Sequence, residues 1–319
     1  MKTFPIIKRS YLWLLIAGIL MAWSAVLFLT NVRYSIDFTG GVNMRLSTSV
    51  NAEELQWSLS SALEEASFSD TTIGIQPGTS STAITIKTNI GDDARITSLI
   101  ETIQSSLIEN AYIQDDSQII ELAITWPSVG AYMQSAAIRA LVLGIIFMVI
   151  YMLFSFSGIR KYVSPVTLAG VTVITMLFDM FIPAGAYGLL MWINPTIQVD
   201  TIFIIAILTT MWYSINDTII IFDRIRENMQ KVDEKNQKSL IYGKVFESSL
   251  RQVMRRSLGT SISTLLVIVA MYLVGTWVIQ SFAFTIGIGV IAWTFSSIFI
   301  AAPLAYLTLW KFNKEQDKL

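Results

Sequence analysis

The chain has 319 residues, 53% of them hydrophobic and 14% charged, with a formal net charge of −1. Soluble domains carry about a quarter charged residues, so this composition excludes an ordinary soluble protein. Cysteine and histidine are both absent. That excludes a disulfide framework, a Cys/His metal centre and any proton step on an imidazole.

The first long apolar run, Tyr11–Thr30, follows Lys8 and Arg9. It exceeds the roughly 7–15 residues of a signal-peptide core and reads as an uncleaved transmembrane anchor. Residues 34–135 then form a polar segment. "VNMRLST" reads as a strand. Asn51 caps a helix reaching about Ala66, with Glu53 and Glu54 in the first turn, where the dipole favours anions. "TTIGIQ" and "TAITIKT" alternate at period two around "PGTSS", a hairpin signal. "DDARITSLIETIQSSLIEN" has helical spacing at Ile96, Leu99, Ile100, Ile103 and Leu107. "SQIIELAIT" is a final strand. The order β-α-β-β-α-β is the ferredoxin-like pattern. The segment holds no nucleophile, phosphate or paired-carboxylate motif and is expected to be a solvated α+β domain without chemistry of its own.

A second span is expected at Ala136–Phe154 and a third at Val166–Met191, containing Asp179 and Pro183. A fourth is expected at Ile197–Phe222. Since about 20 apolar residues cross a bilayer core, the run Ser257–Trp310 is too long for one helix, and "VGTWVIQS" divides it into spans five and six. The expected organisation is a tail and first span over 1–33 and the α+β domain over 34–135. Spans two to six follow over 136–310, with a loop at 223–256, and then a tail at 311–319. The fold class is membrane α-helical with six spans.

Seventeen of the 22 Lys and Arg residues fall in the N-terminal tail, the loop after span two, the loop 223–256 and the C-terminal tail. The positive-inside rule puts these segments, and so both termini, in the cytoplasm. Residues 31–135 carry 13 acidic and four basic residues and face outward.

Four acids lie in or near the spans. Asp200 and Asp223 sit near span ends and can reach an interface, and Asp223 has Arg224 and Arg226 beside it. Asp217 lies six residues before Asp223, roughly 9 Å deeper along a helix. An aspartate at a helix centre costs about 2.5–3.5 kcal/mol on insertion scales, which a partner, water or protonation must offset. One reading is a proton relay; the other is a structural polar contact helped by Asn216 or Thr218. Counting back about 20 residues from Gly275 places Arg256 near the depth of Asp217. Arg256 is then either its partner or an arginine reaching for the interface. An arginine stays charged, so protonation of Asp217 would compete with the pair. Thr260 and Ser261 lie one turn further in and either bind water or let helices pack closely. Asp179 either extends the polar path or marks a helix irregularity near Pro183.

Three stretches together resemble the SecF family. They are "IDFTGG" at Ile36–Gly41, with Asp37, Phe38, Thr39, Gly40 and Gly41; "WPSVGA" at Trp126–Ala131; and "YSINDTIIIFDRIREN" at Tyr213–Asn228, with Asn216, Asp217, Asp223 and Arg224. The resemblance runs from about residue 10 to 310. It implies half of a resistance–nodulation–division (RND) type bundle that works with a SecD-like subunit as an accessory of the Sec translocon. It implies use of the proton-motive force to help move unfolded polypeptides through a SecYEG-type channel in the bacterial inner membrane. Bilayer lipid is a partner, nucleic acid is not, and neither a cofactor nor a catalytic residue is implied. The family's intramembrane carboxylate falls on Asp217 and its essential arginine on Arg256.

The chain departs from the family pattern at three places. Trp212 stands where Gly is usual and is expected to alter packing against a neighbouring helix. Phe178 replaces a frequent His, and Ser35 a frequent Gly. Competing functions are a passive scaffold, an RND-type exporter of another substrate, and an intramembrane aspartyl protease. The last needs two carboxylates sharing a proton, and its Gly-x-Gly-Asp pattern is missing.

Overall fold

The computed structural model describes residues 6–47, 50–68, 70–77, 81–157, 164–194, 197–234, 242–275 and 277–308. The chain divides into two compact units. One joins Val32–Ala140 with Met191–Thr201, and the other holds Met1–Asn31, Leu141–Leu190 and Ile202–Leu319.

The first unit is an α+β domain. After a short helix α2 (Ile36–Thr39) come β1 (Gly41–Leu46), α3 (Ala52–Glu65), β2 (Thr72–Pro77), β3 (Thr82–Lys87), α4 (Asp93–Glu109) and β4 (Ile119–Thr125). The sheet order is β2-β3-β1-β4 with every neighbour antiparallel, as the ferredoxin-like pattern requires. The Asn51 carboxamide accepts from the Glu53 amide at 3.1 Å and so starts α3. Leu55, Leu59 and Leu63 recur along one face of α3, and Ile96, Leu99, Ile103 and Leu107 along one face of α4. Both stripes are buried with the alternating Val42, Met44 and Leu46 of β1 and Ile84 and Ile86 of β3. The link between β2 and β3, residues 78–80 of the expected hairpin, lies outside the described residues.

The last strand starts at Ile119 rather than Ser117. The Asp115 carboxylate accepts from the Ser117 amide at 2.9 Å and winds Asp116–Gln118 into a 3₁₀ turn first.

The second unit is helical. The long helices, numbered along the whole chain, are α1 (Ser10–Asn31), α5 (Pro127–Ser155), α6 (Pro165–Ile193), α7 (Thr201–Glu234), α8 (Tyr242–Val274) and α9 (Trp277–Ser296), of which residues 127–140 of α5, 191–193 of α6 and Thr201 of α7 belong to the first unit. A π-helical turn at Ser297–Ala301 follows α9. Among the described residues six helices are long and apolar enough to cross a membrane. Gly185 and Gly188 let α6 meet α1 at backbone distance: a Cβ on Gly188 would lie 2.7 Å from the Leu27 carbonyl oxygen. Small residues of this kind bring membrane helices together. Pro183 sits inside α6 without ending it, as membrane helices allow.

Two expectations are corrected. The helix that carries the second span begins at Pro127, ahead of the expected span at Ala136, because proline is pre-shaped for the first helical position. The stretch 223–256 is largely helix rather than loop: α7 runs on to Glu234 and α8 begins at Tyr242. Ion pairs one turn apart carry these extensions, Asp223 with Arg226 at 2.6 Å, Glu227 with Lys231 at 2.6 Å and Glu247 with Arg251 at 3.1 Å. Charge ends an apolar run, but at this spacing it supports a helix. The expected tail 311–319 lies outside the described residues.

Candidate functional site

Asp217 is carried by α7 and is only 7% exposed. It lines a cavity of about 550 Å³ together with Asn216 of the same helix, Arg256, Thr260 and Ser261 of α8, and Trp293 of α9. Five of the residues singled out in the sequence therefore converge: Asn216, Asp217, Arg256, Thr260 and Ser261. Arg256 and Thr260 are exposed, while Ser261 is buried. Among the described residues no direct ion pair joins Asp217 to Arg256. Among the described residues the Asp217 Oδ2 atom and the hydroxyls of Thr218 and Ser257 are buried without a well-formed hydrogen bond, although the Ser257 hydroxyl lies near enough to the Asp217 carboxylate to interact with it. Buried polar atoms rarely go unpaired; Asp217 and Ser257, unlike Thr218, line the adjoining cavity, which is roomy enough for water.

Asp179 of α6 does not line this cavity. It is fully buried where three helices meet. Its Oδ2 accepts from the hydroxyls of Ser214 on α7 and Ser296 on α9, the latter at 2.8 Å. Its Oδ1 has no hydrogen-bond partner among the described residues. Ser214 precedes Asp217 by three residues, so the two carboxylates are joined through one turn of α7. Ser296 also immediately precedes the π-helical turn, a feature that recurs at functional sites. The Thr294 hydroxyl donates to Ser261 at 2.6 Å and ties α9 to α8.

Ser214, Ser296 and Trp293 were not singled out from the sequence. Ser214 lies inside the quoted fourth-span motif, one turn before Asp217. Nothing in the sequence marked the other two.

The remaining motif residues are placed elsewhere. Asp223 pairs with Arg226 on its own helix. Arg224 donates to Gln252 of α8 at 2.5 Å. One turn on, Asn228 donates to Ser249 at 2.8 Å and to Gln252 at 3.0 Å, so a polar clasp joins α7 to α8. Trp212 is 72% exposed, so the packing expected of it is not made within the described helices of this chain. Phe178, in the place of a frequent His, is buried and stacks on Phe295 at 5.8 Å.

The "IDFTGG" stretch belongs to the α+β unit. Ser35 caps α2 by accepting from the Asp37 amide at 3.2 Å, and Phe38 is buried. The Thr39 hydroxyl donates to the Ser35 carbonyl at 3.1 Å. Gly40 and Gly41 have φ of +80° and +142°, which other residues rarely adopt. A Cβ on Gly40 would lie 2.9 Å from Pro127, and one on Gly130 would lie 2.9 Å from the Phe38 backbone. "IDFTGG" and "WPSVGA" therefore interlock, and Asp37 reaches on to accept from the Thr201 amide at 2.9 Å.

The family model "Protein export membrane protein SecD/SecF, C-terminal" matches residues 105–311. The chain is 31% identical to the protein translocase subunit SecF of Sebaldella termitidis, over 92% of this chain and 87% of that one. It is 29% identical to that of Endomicrobium trichonymphae, over 97% and 92%. Among solved structures it resembles the translocon-associated membrane protein SecDF of Thermus thermophilus, with a TM-score of 0.74 and 26% identity. That match covers 97% of this chain and 38% of SecDF. A second SecDF structure, in a super-membrane-facing form, matches with a TM-score of 0.65 at 25% identity, over all of this chain and 40% of that one. The chain thus spans less than half the length of the SecDF chains.

Proposed function

Because the chain belongs to the SecD/SecF family of protein export membrane proteins, we propose that it is the SecF half of a Sec export motor driven by the proton-motive force. A SecD-like subunit supplies the other half of the bundle; the 38% share of the SecDF chain supports this. The complex sits in the bacterial inner membrane, serves a SecYEG-type channel and acts on an unfolded exported polypeptide. Both termini and the charged ends of α7 and α8 face the cytoplasm, and the α+β domain faces outward. The role is transport, with no covalent step on a substrate.

The observation that carries this reading is the buried, partly unpartnered Asp217 on a polar cavity shared with Arg256. Ionised Asp217 attracts the permanently charged guanidinium across the cavity. A proton delivered through water removes that attraction and frees α8 to shift against α7. Thr260 and Ser261 offer hydroxyls along the cavity wall. Asp179, linked through Ser214, is the second carboxylate of the path. One charge crossing 100 mV releases about 2.3 kcal/mol, enough to bias two arrangements of the helices if access to Asp217 alternates.

The test compares variants at equal amounts of assembled complex. Asp217→Asn should assemble yet lose the stimulation of export by the proton-motive force. Arg256→Ala should lose nearly as much, and Asp223→Asn much less, because Asp223 is exposed and paired on its own helix. If Asp217→Asn exports at the wild-type rate with its proton dependence intact, the chain is a scaffold and the relay is wrong.

A further inference from the structure

Helix α7 differs from the other five spans in one respect. Its 34 residues contain neither glycine nor proline, whereas each of the others contains at least one of the two. Sharp kinks arise mostly at such residues or at π-bulges, and α7 has none of these; its Thr209 and Thr210 hydroxyls, bonded back to the Ile205 and Ala206 carbonyls, bend a helix only gently. A displacement at Asp217 is therefore carried along the rod to its first residue, Thr201, about 24 Å away at 1.5 Å per residue.

That first residue is held. The first amides of a helix have no partner within it. Here the Thr201 N–H donates to Asp37 Oδ2 at 2.9 Å, across 164 positions of sequence. The two segments also run side by side. The Ser35 amide donates to the Val199 carbonyl at 2.8 Å and the Val199 amide to the Arg33 carbonyl at 2.7 Å, making a parallel bridge between Tyr34 and Val199. The Lys87 ammonium at the end of β3 donates to the Tyr34 carbonyl at 2.6 Å. Nor is α2, which carries Asp37, a loose linker. Gly40 and Gly41 lock it to the start of β1, and Gly130 and Pro127 press the first turn of α5 against its backbone.

We propose that Asp37 is the coupling residue of the motor, a positioning group that grips the first amide of α7 and passes movement of that rod through α2 into β1 and α5. The proposal rests on Asp217 being the group that responds to protons. It assigns the "IDFTGG" signature a mechanical role. The carboxylate is the grip, and the two glycines and Phe38 set it at a fixed place relative to the sheet.

The donor can be removed without touching Asp37. Proline is favoured in the first helical turn, so Thr201→Pro deletes one N–H and leaves the helix able to form. Asp37→Ala deletes the acceptor, while Asp37→Asn keeps a carbonyl in its place. At equal amounts of full-length complex, Asp37→Ala and Thr201→Pro should each lose most of the export stimulated by the proton-motive force. The double variant should be no worse than either, and Asp37→Asn should restore most of the activity. In hydrogen exchange on the same purified complexes, the first turn of α7 should open about fivefold faster in Asp37→Ala, as loss of a cap near 1 kcal/mol implies, and near the wild-type rate in Asp37→Asn.

Wild-type stimulation in Asp37→Ala overturns the proposal, and so does a loss in Asp37→Ala that Thr201→Pro does not share. If the wild-type complex itself shows no such stimulation, the proton-driven reading is what fails. The exchange rates then decide the grip separately: faster exchange in Asp37→Ala upholds it, and unchanged exchange removes it.

Discussion

At Asp179 one carboxylate oxygen takes two hydroxyl donors, from Ser214 and Ser296, while the other takes none. Leaving a buried polar group short of a donor costs about 1–3 kcal/mol. Ser296→Ala should lower resistance to denaturant by about that much, and Ser214→Ala likewise. Denaturation of the purified protein in detergent, followed by tryptophan fluorescence, measures both; two variants as stable as the wild type would mean the node is slack. At half-buried Lys87, burial first and the Arg33 charge second pull the ammonium pKa below its ordinary value. The folded chain then binds fewer protons there than the unfolded one. Stability should rise with pH through the folded pKa and level off above the unfolded value of about 10.4. Lys87→Met should flatten that rise, and a rise of equal slope in the variant would place its origin elsewhere. Asp217 was legible in the sequence because a charge inside an apolar run has few uses. Ser214 and Ser296 were not, because a serine in a membrane helix serves packing as readily as hydrogen bonding.

Among elements, those of the α+β unit were legible because each strand and helix there buries only one face. Leu55, Leu59 and Leu63, or Ile84 and Ile86, state the period directly. The membrane helices show no such face, since lipid and protein interior are equally apolar, so only their number and rough position could be read. Their charged ends were misjudged for the reason seen at Glu227 and Lys231: hydropathy locates the bilayer, not the end of the helix. With two helices over a four-stranded sheet and a core of its own, residues 34–125 should fold alone, giving a mixed α/β circular dichroism spectrum and one cooperative melt. Leu59→Ala, at a site with no exposure, should cost about 2–5 kcal/mol of that stability. A random-coil spectrum from residues 34–125 would mean that the domain depends on Val199 and its neighbours for its fold.

For the whole molecule, charge sets the orientation in the bilayer. The cytoplasmic assignment rests on 17 of 22 basic residues, and the positive-inside bias acts through short loops near span ends. The helical extensions of α7 and α8 sharpen the argument, since they hold Arg224, Arg226, Lys231, Lys244, Arg251, Arg255 and Arg256 on two adjoining helix ends. Moving that charge across the bilayer is disfavoured far more strongly than moving the acidic segment 31–135, which carries four basic residues against 13 acidic ones. The chain has no cysteine, so a single introduced thiol reports one position without background. Glu101 and Lys244 are both exposed. In intact spheroplasts a membrane-impermeant maleimide should label Glu101→Cys at once and Lys244→Cys only after the membrane is opened. The opposite pattern would invert the topology, put Arg256 on the outer side, and leave the proton gradient pointing the wrong way for the relay proposed at Asp217.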